Sequence, residues 1–449
     1  MNKQQLGIIL LLHIGTLSYA QSTQDTISRA YNVSYHVITV KDYSFDELVE
    51  EGINTSARQL ELWHVPIRQF RAAIRWHIKR HNFSIGKKER NKTTFKAVIF
   101  TYPSLSPQGE PVMLSGLVTI PLLKDNKIGR MLVYHRLLAT YNSIAPSNSL
   151  PIEAVLSADN TICVFPDYYG CGITQGSPLP FSALNYHARC AAECAIAALN
   201  IVRDNGIVLD TGFYTWTTGY SQAGGYALAT HRYVENALPD SLNNRLNLRW
   251  SLCCNGIFSP AKLYEHAILE GDMGSTPSVF LQSLRGLFTS HTEQMEGLSI
   301  RDLLSEKALE TGIDSIMCSY DNGLWDLFDK LDGRDKSHDP AYYFSPLVLD
   351  TSTSLYKIVS GVLNLDDCVS GWHPQSCAVI CHSTKDDLIP FRLSEQAQKK
   401  LADTGGCCLL ITPKHNKSHL VSGFYYYFYL LRYNENELYR RFIGSYASQ

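Results

Sequence analysis

The chain has 449 residues, of which 45% are hydrophobic, 11% aromatic and 18% charged. That composition is typical of a globular protein with a large core and excludes a disordered chain. The formal net charge of −2 gives no electrostatic reason to expect binding to nucleic acid or to an anionic membrane, so we predict no nucleic-acid partner.

The first twenty residues are typical of a cleaved secretory signal. Lys3 precedes an apolar stretch over residues 6–17, and Ser18, Tyr19 and Ala20 follow before a polar region. We therefore expect cleavage after Ala20, with a short membrane anchor as the alternative. The rest of the sequence contains no run of about 18 apolar residues, so we predict no membrane-spanning segment there. The mature protein is expected to be secreted or periplasmic.

The predicted elements change in character along the first half of the chain. Residues 21–90 show helical periodicity and predict an N-terminal helical extension. Strands are then predicted at TTFKAVIFTYPS, EPVMLSGLVTIPLL, GRMLVYHRLL, NTICVFPDYYG, TGFYTWTTG and NLRWSLCCNG. An alanine-rich helix that ends at Gly206 precedes TGFYTWTTG, and the helix QAGGYALATHRYVENAL follows it. This alternation predicts an α/β core with a mostly parallel sheet flanked by helices.

The strand pattern stops at about residue 256. Residues 256–362 predict several helices with charged faces, among them SIRDLLSEKALETG and GLWDLFDKLDGRDK. Sheet character returns with QSCAVICHSTKDDLIP, the helix FRLSEQAQKKLADTGG and the strand CCLLITP. We therefore expect a core of residues 91–255 and 363–449, with 256–362 inserted as a helical lid over the site.

The stretch TTGYSQAGGYALATHRY, residues 217–233, places a serine between a predicted strand and a predicted helix. A serine hydroxyl attacks only when an imidazole takes its proton and a carboxylate orients that imidazole. The sharp turn that exposes such a serine needs small residues two positions before and after it. Gly219 meets the first need, and Ala223 adds one methyl at the second. We predict that Ser221 is a nucleophile; a purely structural turn is the alternative.

The carboxylate is expected from the loop after AVIC, where Asp386 and Asp387 follow His382. Only one of the two aspartates can point at the base, and we favour Asp386; the alternative is that both cap the following helix. The base is expected after the last strand, where His415 and His419 are available. His419 directly precedes an apolar helix, whereas lysines flank His415 and suggest exposure, so we favour His419.

An oxyanion hole needs backbone N–H groups close to the nucleophile. Gln222 can supply one of them, and Arg136 or Leu137, after RMLVYH, can supply the other. For the Arg136 side chain we expect a surface salt bridge, with a contact to an acidic substrate group as the alternative.

The twelve cysteines do not follow a disulfide framework. Neighbouring cysteines on a strand face opposite ways, and cysteines one helical turn apart have poor bridge geometry. No C-x-x-C pair occurs, so we expect no zinc site. We also predict no other metal and no cofactor. Most cysteines are expected to be buried hydrophobic residues, with one or two bridges involving Cys318, Cys368 or Cys377.

Several of these stretches together resemble the secretory-lipase-like branch of the α/β-hydrolases. They are FTYPSLSPQGEPVMLSGLVTIP, VYHRLLATYNSIAPS, CVFPDYYGCG and GYSQAGG, and the resemblance covers roughly residues 90–255 and 375–435. It departs from the family at Ala223, where a glycine is usual, and at Arg136, which stands in place of the glycine that usually follows the histidine. The family loop is matched at Asp167, Tyr168, Gly170 and Gly172, which are expected to shape the rim of the site.

The resemblance implies an α/β-hydrolase fold and a serine carboxylic-ester hydrolase, with Ser221, Asp386 and His419 in the chain order of that fold. The spacing from His382 to Asp386 is that of the acid loop in many such enzymes. The expected substrate is a small-molecule, lipid or acylated-sugar ester; the oligomeric state stays open. A serine peptidase and a non-catalytic binding protein of the same fold are the alternatives.

Overall fold

The computed structural model describes residues 34–61, 66–136, 145–318, 330–331, 337–414 and 416–444. Nine strands in these ranges form one sheet. They are β1 His36–Tyr43, β2 Thr94–Leu105, β3 Pro111–Leu122, β4 Lys127–Tyr134, β5 Thr161–Pro166, β6 Val208–Tyr220, β7 Leu248–Cys254, β8 Cys377–Cys381 and β9 Cys408–Ile411. Their order across the sheet is β1-β2-β3-β5-β4-β6-β7-β8-β9.

The sheet is mixed at one end and parallel at the other. Strands β1, β2 and β3 pair antiparallel, and β3 pairs antiparallel with β5. From β5 through β4, β6, β7 and β8 to β9 every pairing is parallel. Parallel strands end at one side of the sheet, which we call the carboxyl edge, and loops there commonly carry binding groups. The strands and helices predicted for residues 91–255 and after 375 are all present.

The helices flank the sheet. They are α1 Phe45–Glu61, α2 Ile67–Lys79, α3 Lys87–Arg90, α4 Leu184–Asp204, α5 Gln222–Asn236, α6 Asp240–Leu246, α7 Pro260–Glu270, α8 Pro277–Ser290, α9 Ile300–Leu303, α10 Glu306–Glu310, α11 Ile313–Cys318, α12 Pro340–Tyr343, α13 Pro346–Leu349, α14 Ser354–Asn364, α15 Phe391–Asp403, α16 His419–Leu430 and α17 Glu435–Tyr439. A 3₁₀ segment, Ile152–Asp159, precedes β5.

Each face of the sheet has its own apolar core. Helices α4 and α5 pack on the face that carries Met131 and Val133. Helices α1, α2 and α16 pack on the face that carries Leu132 and Tyr134. Because side chains alternate along a strand, neighbouring residues of β4 serve opposite layers. Gly206 follows α4 with φ 72°, a conformation that favours glycine, and ends the helix where the sequence predicted.

Strand β1 corrects the prediction of a wholly helical extension over residues 21–90. It pairs along β2, with Val40 opposite Val98, at the end of the sheet. Val37, Ile38, Thr39 and Val40 are all β-branched, and such residues favour extended backbone. The rest of the described extension contains α1, α2 and α3.

Helices α7 to α14 lie between β7 and β8, as an insertion in the order of the sheet. The predicted helix SIRDLLSEKALETG is instead two short helices, α9 and α10. Leu304 is extended and forms a bridge with Phe344, and the Ser305 side chain accepts the N–H of Ala308 to start α10. The predicted helix GLWDLFDKLDGRDK lies almost entirely outside the described residues.

The insertion has an apolar cluster of its own. Leu281, Leu303 and Val359 are among its fully buried members. The cluster also contains core residues that come before and after the insertion in sequence, including Phe181 and Leu388. The insertion is therefore packed against the core.

One disulfide, Cys377–Cys407, occurs among the described residues. It involves Cys377, as expected, but joins it to a cysteine that the sequence did not single out. Cys368 is a buried thiol, and the side chain of Cys318 lies outside the described part. The sequence has two pairs of adjacent cysteines, and they behave differently. Cys253 and Cys254 are both buried thiols, whereas Cys407 is bonded and Cys408 is a buried thiol. None of the helices in the described ranges has the length and apolarity that crossing a bilayer requires.

Candidate active site

Main-chain hydrogen bonds extend the parallel ladder one residue beyond the strands at the carboxyl edge. The N–H of Ser221 donates to the carbonyl of Cys254, and the N–H of Asn255 donates to that of Cys381, each at 2.9 Å. The N–H of His382 donates to Ile411 at the same distance. The first residue after each of β6, β7 and β8 is thereby fixed relative to its neighbour.

Ser221 lies on a sharp turn between β6 and α5. Its backbone has φ 59° and ψ −128°, a left-handed conformation that is strained for a residue with a Cβ. The turn brings Gly219 against Ala223, and a Cβ on Gly219 would clash with the Ala223 carbonyl. Ala223 is tolerated although its Cβ lies close by. The geometry is that of a nucleophile elbow, with strand before and helix after.

His419 is the first residue of α16 and lies over this turn. Its Nε2 is 2.8 Å from Ser221 Oγ, and its Nδ1 is 2.7 Å from Asp386 Oδ2. A carboxylate only accepts, so Nδ1 carries the hydrogen and Nε2 accepts from the Ser221 hydroxyl. The main chain of His419 is held as well, since Tyr220 donates its hydroxyl to the His419 carbonyl at 2.5 Å.

The two neighbouring aspartates have different contacts. The side chain of Asp386 is fully buried and faces the His419 ring. Asp387 Oδ1 instead accepts the His419 backbone N–H at 2.8 Å, at the start of α16. Burial alone would raise the pKa of Asp386, but the charges and hydrogen bonds of His419 and His382 hold it well below its usual range. Asp386 is therefore a carboxylate, and Asp387 caps a helix. The other candidate base, His415, lies outside the described residues.

Sequence reasoning missed two side chains that contact Asp386. Asn255 donates its amide to Asp386 Oδ2 at 2.5 Å, and His382 Nε2 lies 3.3 Å from the same oxygen. The other oxygen, Oδ1, accepts the N–H groups of Leu388 and Ile389 at 2.9 and 2.8 Å. Only the order of strands in the sheet could have revealed Asn255, because it is 131 residues away from Asp386 in sequence.

The residues predicted for the oxyanion hole are only partly described. Gln222 is the first residue of α5, directly after Ser221, and its side chain donates to the Tyr226 hydroxyl. Leu137 lies outside the described residues. Arg136 is 6% exposed, so the expected surface salt bridge is wrong. Burial raises the pKa of the carboxyls of Glu153 and Asp167, and the positive charge of Arg136 opposes that rise.

His135 precedes the position at which the resembling family usually has a glycine. It is fully buried and belongs to the core. Its ring contacts the Tyr168 hydroxyl and, at 2.9 Å, Thr217 Oγ1. Burial, with the neighbouring His187, lowers its pKa to about 3. The imidazole is therefore uncharged at neutral pH, and it packs against the rings of Tyr168 and Tyr226.

Asp167 holds together the chain segments around it. Its Oδ2 accepts the Ser115 hydroxyl at 2.5 Å, and its Oδ1 accepts the Ser147 N–H at 3.0 Å. Burial raises its pKa, and the bonds from the two serines oppose that rise. Gly172 is required here, because its φ is 59° and a Cβ would overlap the Asp167 carboxylate.

In the described ranges, no group of three or more histidine, cysteine, aspartate or glutamate side chains is arranged to hold a metal ion. The chemistry that the described residues can perform is proton transfer from Ser221 to His419, supported by the negative charge of Asp386.

Neither protein-family models nor curated proteins gave a match to the chain. Solved structures are similar to it. The rice cell wall degrading esterase LipA from Xanthomonas oryzae superposes with a TM-score of 0.65 at 17% identity, over 91% of this chain and 96% of that one. A putative hydrolase from Legionella pneumophila gives 0.62 at 14%, over 88% and 95%.

The lipase A of Candida antarctica is also similar, with a TM-score of 0.54 at 14% identity over 75% of each chain. At such identities the likeness establishes the fold alone. The chain has the α/β-hydrolase fold, as the sequence resemblance implied.

Proposed function

We propose that this protein is an exported serine hydrolase that cleaves carboxylic esters through an acyl-enzyme on Ser221. The observation that carries the proposal is the continuous hydrogen-bonded chain from Asp386 through His419 to Ser221, with the serine on a strained elbow. Ester hydrolysis is the activity named for two of the structurally similar proteins, an esterase and a lipase.

In the first half of the reaction, Ser221 Oγ attacks the ester carbonyl carbon while its proton passes to His419 Nε2. Asp386 holds the ring in the tautomer that accepts this proton and stabilises the imidazolium. The oxyanion is held by the backbone N–H of Gln222 and by that of Arg136 or Leu137. The carbon–oxygen bond to the alcohol breaks, and the alcohol leaves with the proton from His419.

In the second half, a water molecule attacks the acyl carbon and gives its proton to His419. The acid then leaves and Ser221 recovers its proton. The substrate class proposed is a small-molecule, lipid or acylated-sugar ester, admitted beneath the helical insertion acting as a lid. The disulfide Cys377–Cys407 supports an oxidising destination for the protein, because such bonds persist outside reducing compartments.

The test is hydrolysis of p-nitrophenyl esters from acetate to palmitate by the wild type and by Ser221→Ala. We expect the variant to lose about 10⁴-fold or more in kcat, since the nucleophile is removed and only binding and oxyanion contacts remain. Circular dichroism shows whether both proteins are folded. Equal activity of the two proteins would exclude Ser221 as the nucleophile.

A fluorophosphonate probe separates a wrong substrate from a wrong mechanism. Labelling of Ser221 without ester hydrolysis would direct the search to peptides and to acylated polysaccharides. A folded wild type that neither hydrolyses esters nor reacts with the probe would favour a binding protein of the same fold.

A further inference from the structure

Asn255 occupies a central place at the carboxyl edge of the sheet. It is the first residue after β7, which lies between β6, the strand of Ser221, and β8, the strand that leads to Asp386. Its N–H donates to the Cys381 carbonyl, and its backbone is left-handed, with φ 44°. The residue is only 2% exposed. An asparagine tolerates such a conformation better than most residues do.

The Asn255 amide and the protonated nitrogen of His419 donate hydrogen bonds to the same oxygen of Asp386. The distances to Asp386 Oδ2 are 2.5 Å from Asn255 Nδ2 and 2.7 Å from His419 Nδ1. The second oxygen is occupied by the backbone N–H groups of Leu388 and Ile389. Each oxygen of Asp386 thus accepts two hydrogen bonds at 2.9 Å or less, and the carboxylate cannot turn without breaking one.

The third polar neighbour, His382, has its own fixed contacts. Its Nε2 faces two acceptors, the Ile389 carbonyl at 3.0 Å and Asp386 Oδ2 at 3.3 Å, so this nitrogen carries the hydrogen. Its Nδ1 lies 2.6 Å from Ser394 Oγ. The Ile389 carbonyl is the nearer acceptor, which leaves Asn255 as the closer of the two side-chain donors beside His419.

We call the hydrogen-bonded chain from Asp386 through His419 to Ser221 the relay. We infer that Asn255 is a positioning residue of this relay: its amide fixes the direction of Asp386 Oδ2 and limits how strongly that oxygen attracts the proton of His419. The inference rests on the proposed function for the reaction that it supports, but the contact itself has a readout independent of activity. A donor that shares the oxygen withdraws negative charge from it, and losing that donor makes the imidazolium easier to form.

The test replaces Asn255 with glycine, which accepts φ 44° and removes the side chain with its amide. Asn247→Gly is the matched control: Asn247 has φ 47°, and its Nδ2 donates to the Phe213 carbonyl at 2.6 Å, between β6 and α6. Asn255→Asp is a second variant that keeps the shape and tolerates the same φ. It places an acceptor where Asp386 needs a donor.

Two quantities are measured, the pH at which the His419 ring signals titrate by NMR and the pH profile of kcat/KM. Among the described residues, the charged and titratable groups that face His419 are Asp386, Asp387 and Tyr220. The two aspartates lie in the loop between β8 and α15, which we call the acid loop, and Tyr220 ends β6. We expect Asn255→Gly to raise both midpoints by about half a pH unit to one unit and to lower kcat roughly tenfold, with KM changed less than about threefold.

Asn255→Asp is expected to move the midpoints further in the same direction, and Asn247→Gly is expected to move neither. A folded Asn255→Gly protein whose His419 titrates as in the wild type would overturn the inference. So would an equal shift in Asn247→Gly, because the effect would then be a general one. If the wild type hydrolyses no ester while Asn255→Gly still shifts the His419 titration, the proposed function fails and the positioning role stands.

Discussion

The carboxyl edge of the sheet and the helical insertion hold their residues in place by different means. At the edge, one main-chain bond of 2.9 Å fixes the residue after each of β6, β7 and β8. In the insertion, helices α9 to α13 have only four to six residues each, and side-chain caps such as Ser305 and Thr353 start several helices. Packing of the apolar cluster holds these short pieces together.

This difference predicts which property of the protein a substitution in each region should change. A change at the edge displaces a group that is set by the backbone ladder, so its effect is expected in the chemistry. A change in the insertion removes apolar packing, so its effect is expected in stability and in access to the site. Three predictions test this distinction.

The largest expected effect separates two adjacent residues of the edge. Asp386→Asn removes the charge that supports His419, and we expect kcat to fall by about 10³- to 10⁴-fold. Asp387→Asn keeps an oxygen that can accept the His419 N–H, and we expect a change of less than about threefold. Steady-state hydrolysis at pH 8 measures both. Similar losses in the two variants would mean that the two aspartates do not divide the roles as their contacts suggest.

The next prediction compares buried leucines in the two regions. Leu228 in α5 and Leu281 in α8 are both fully buried, and truncation to alanine is expected to cost about 2–5 kcal/mol of the free energy of unfolding in each case. Because α5 begins beside Ser221, Leu228→Ala should also slow labelling of Ser221 by a fluorophosphonate. Leu281→Ala should leave that rate within about twofold.

Urea unfolding and the labelling rate are the measurements for this pair. Slow labelling in Leu281→Ala and normal labelling in Leu228→Ala would reverse the comparison, because the insertion would then set the geometry of the elbow.

The smallest expected effect concerns Glu235, at the end of α5 away from the carboxyl edge. It accepts hydrogen bonds from His231, Ser376 and the backbone N–H of Gln375, and although burial opposes ionisation, these donors lower its pKa to about 2. A depressed carboxyl pKa contributes stability above the unfolded value near 4.5, which is lost as pH falls towards 2.

Glu235→Gln should therefore lower the free energy of unfolding by about 2 kcal/mol at pH 7, with a difference that shrinks between pH 5 and pH 2. Activity at pH 7 should be unchanged, since the site lies at the other end of the strands. Chemical denaturation across this pH range measures the difference; one that stays constant would show that Glu235 contributes no ionic term.

The sequence predicted the core better than the insertion for a physical reason. Strands such as β4 and β5 are short apolar runs whose signal is local, and the turn at Ser221 has small residues at known positions. The break between α9 and α10 depends on a bridge to Phe344, 40 residues after Leu304, which no local pattern contains. Asn255 and the burial of Arg136 depend in the same way on residues distant in sequence.

The disulfide Cys377–Cys407 has a consequence for how the site re-forms after local unfolding of the sheet. Strand β9 has four residues and lies at the end of the sheet, where pairing is lost most easily. The bond closes a ring between positions 30 apart that contains His382, Asp386 and Asp387. When this side of the sheet opens under heat or shear, the ring keeps the acid loop tethered to the start of β9, which leads to His419. We therefore expect the contact between Asp386 and His419 to re-form by a short-range search, because the bond limits how far the two segments can separate.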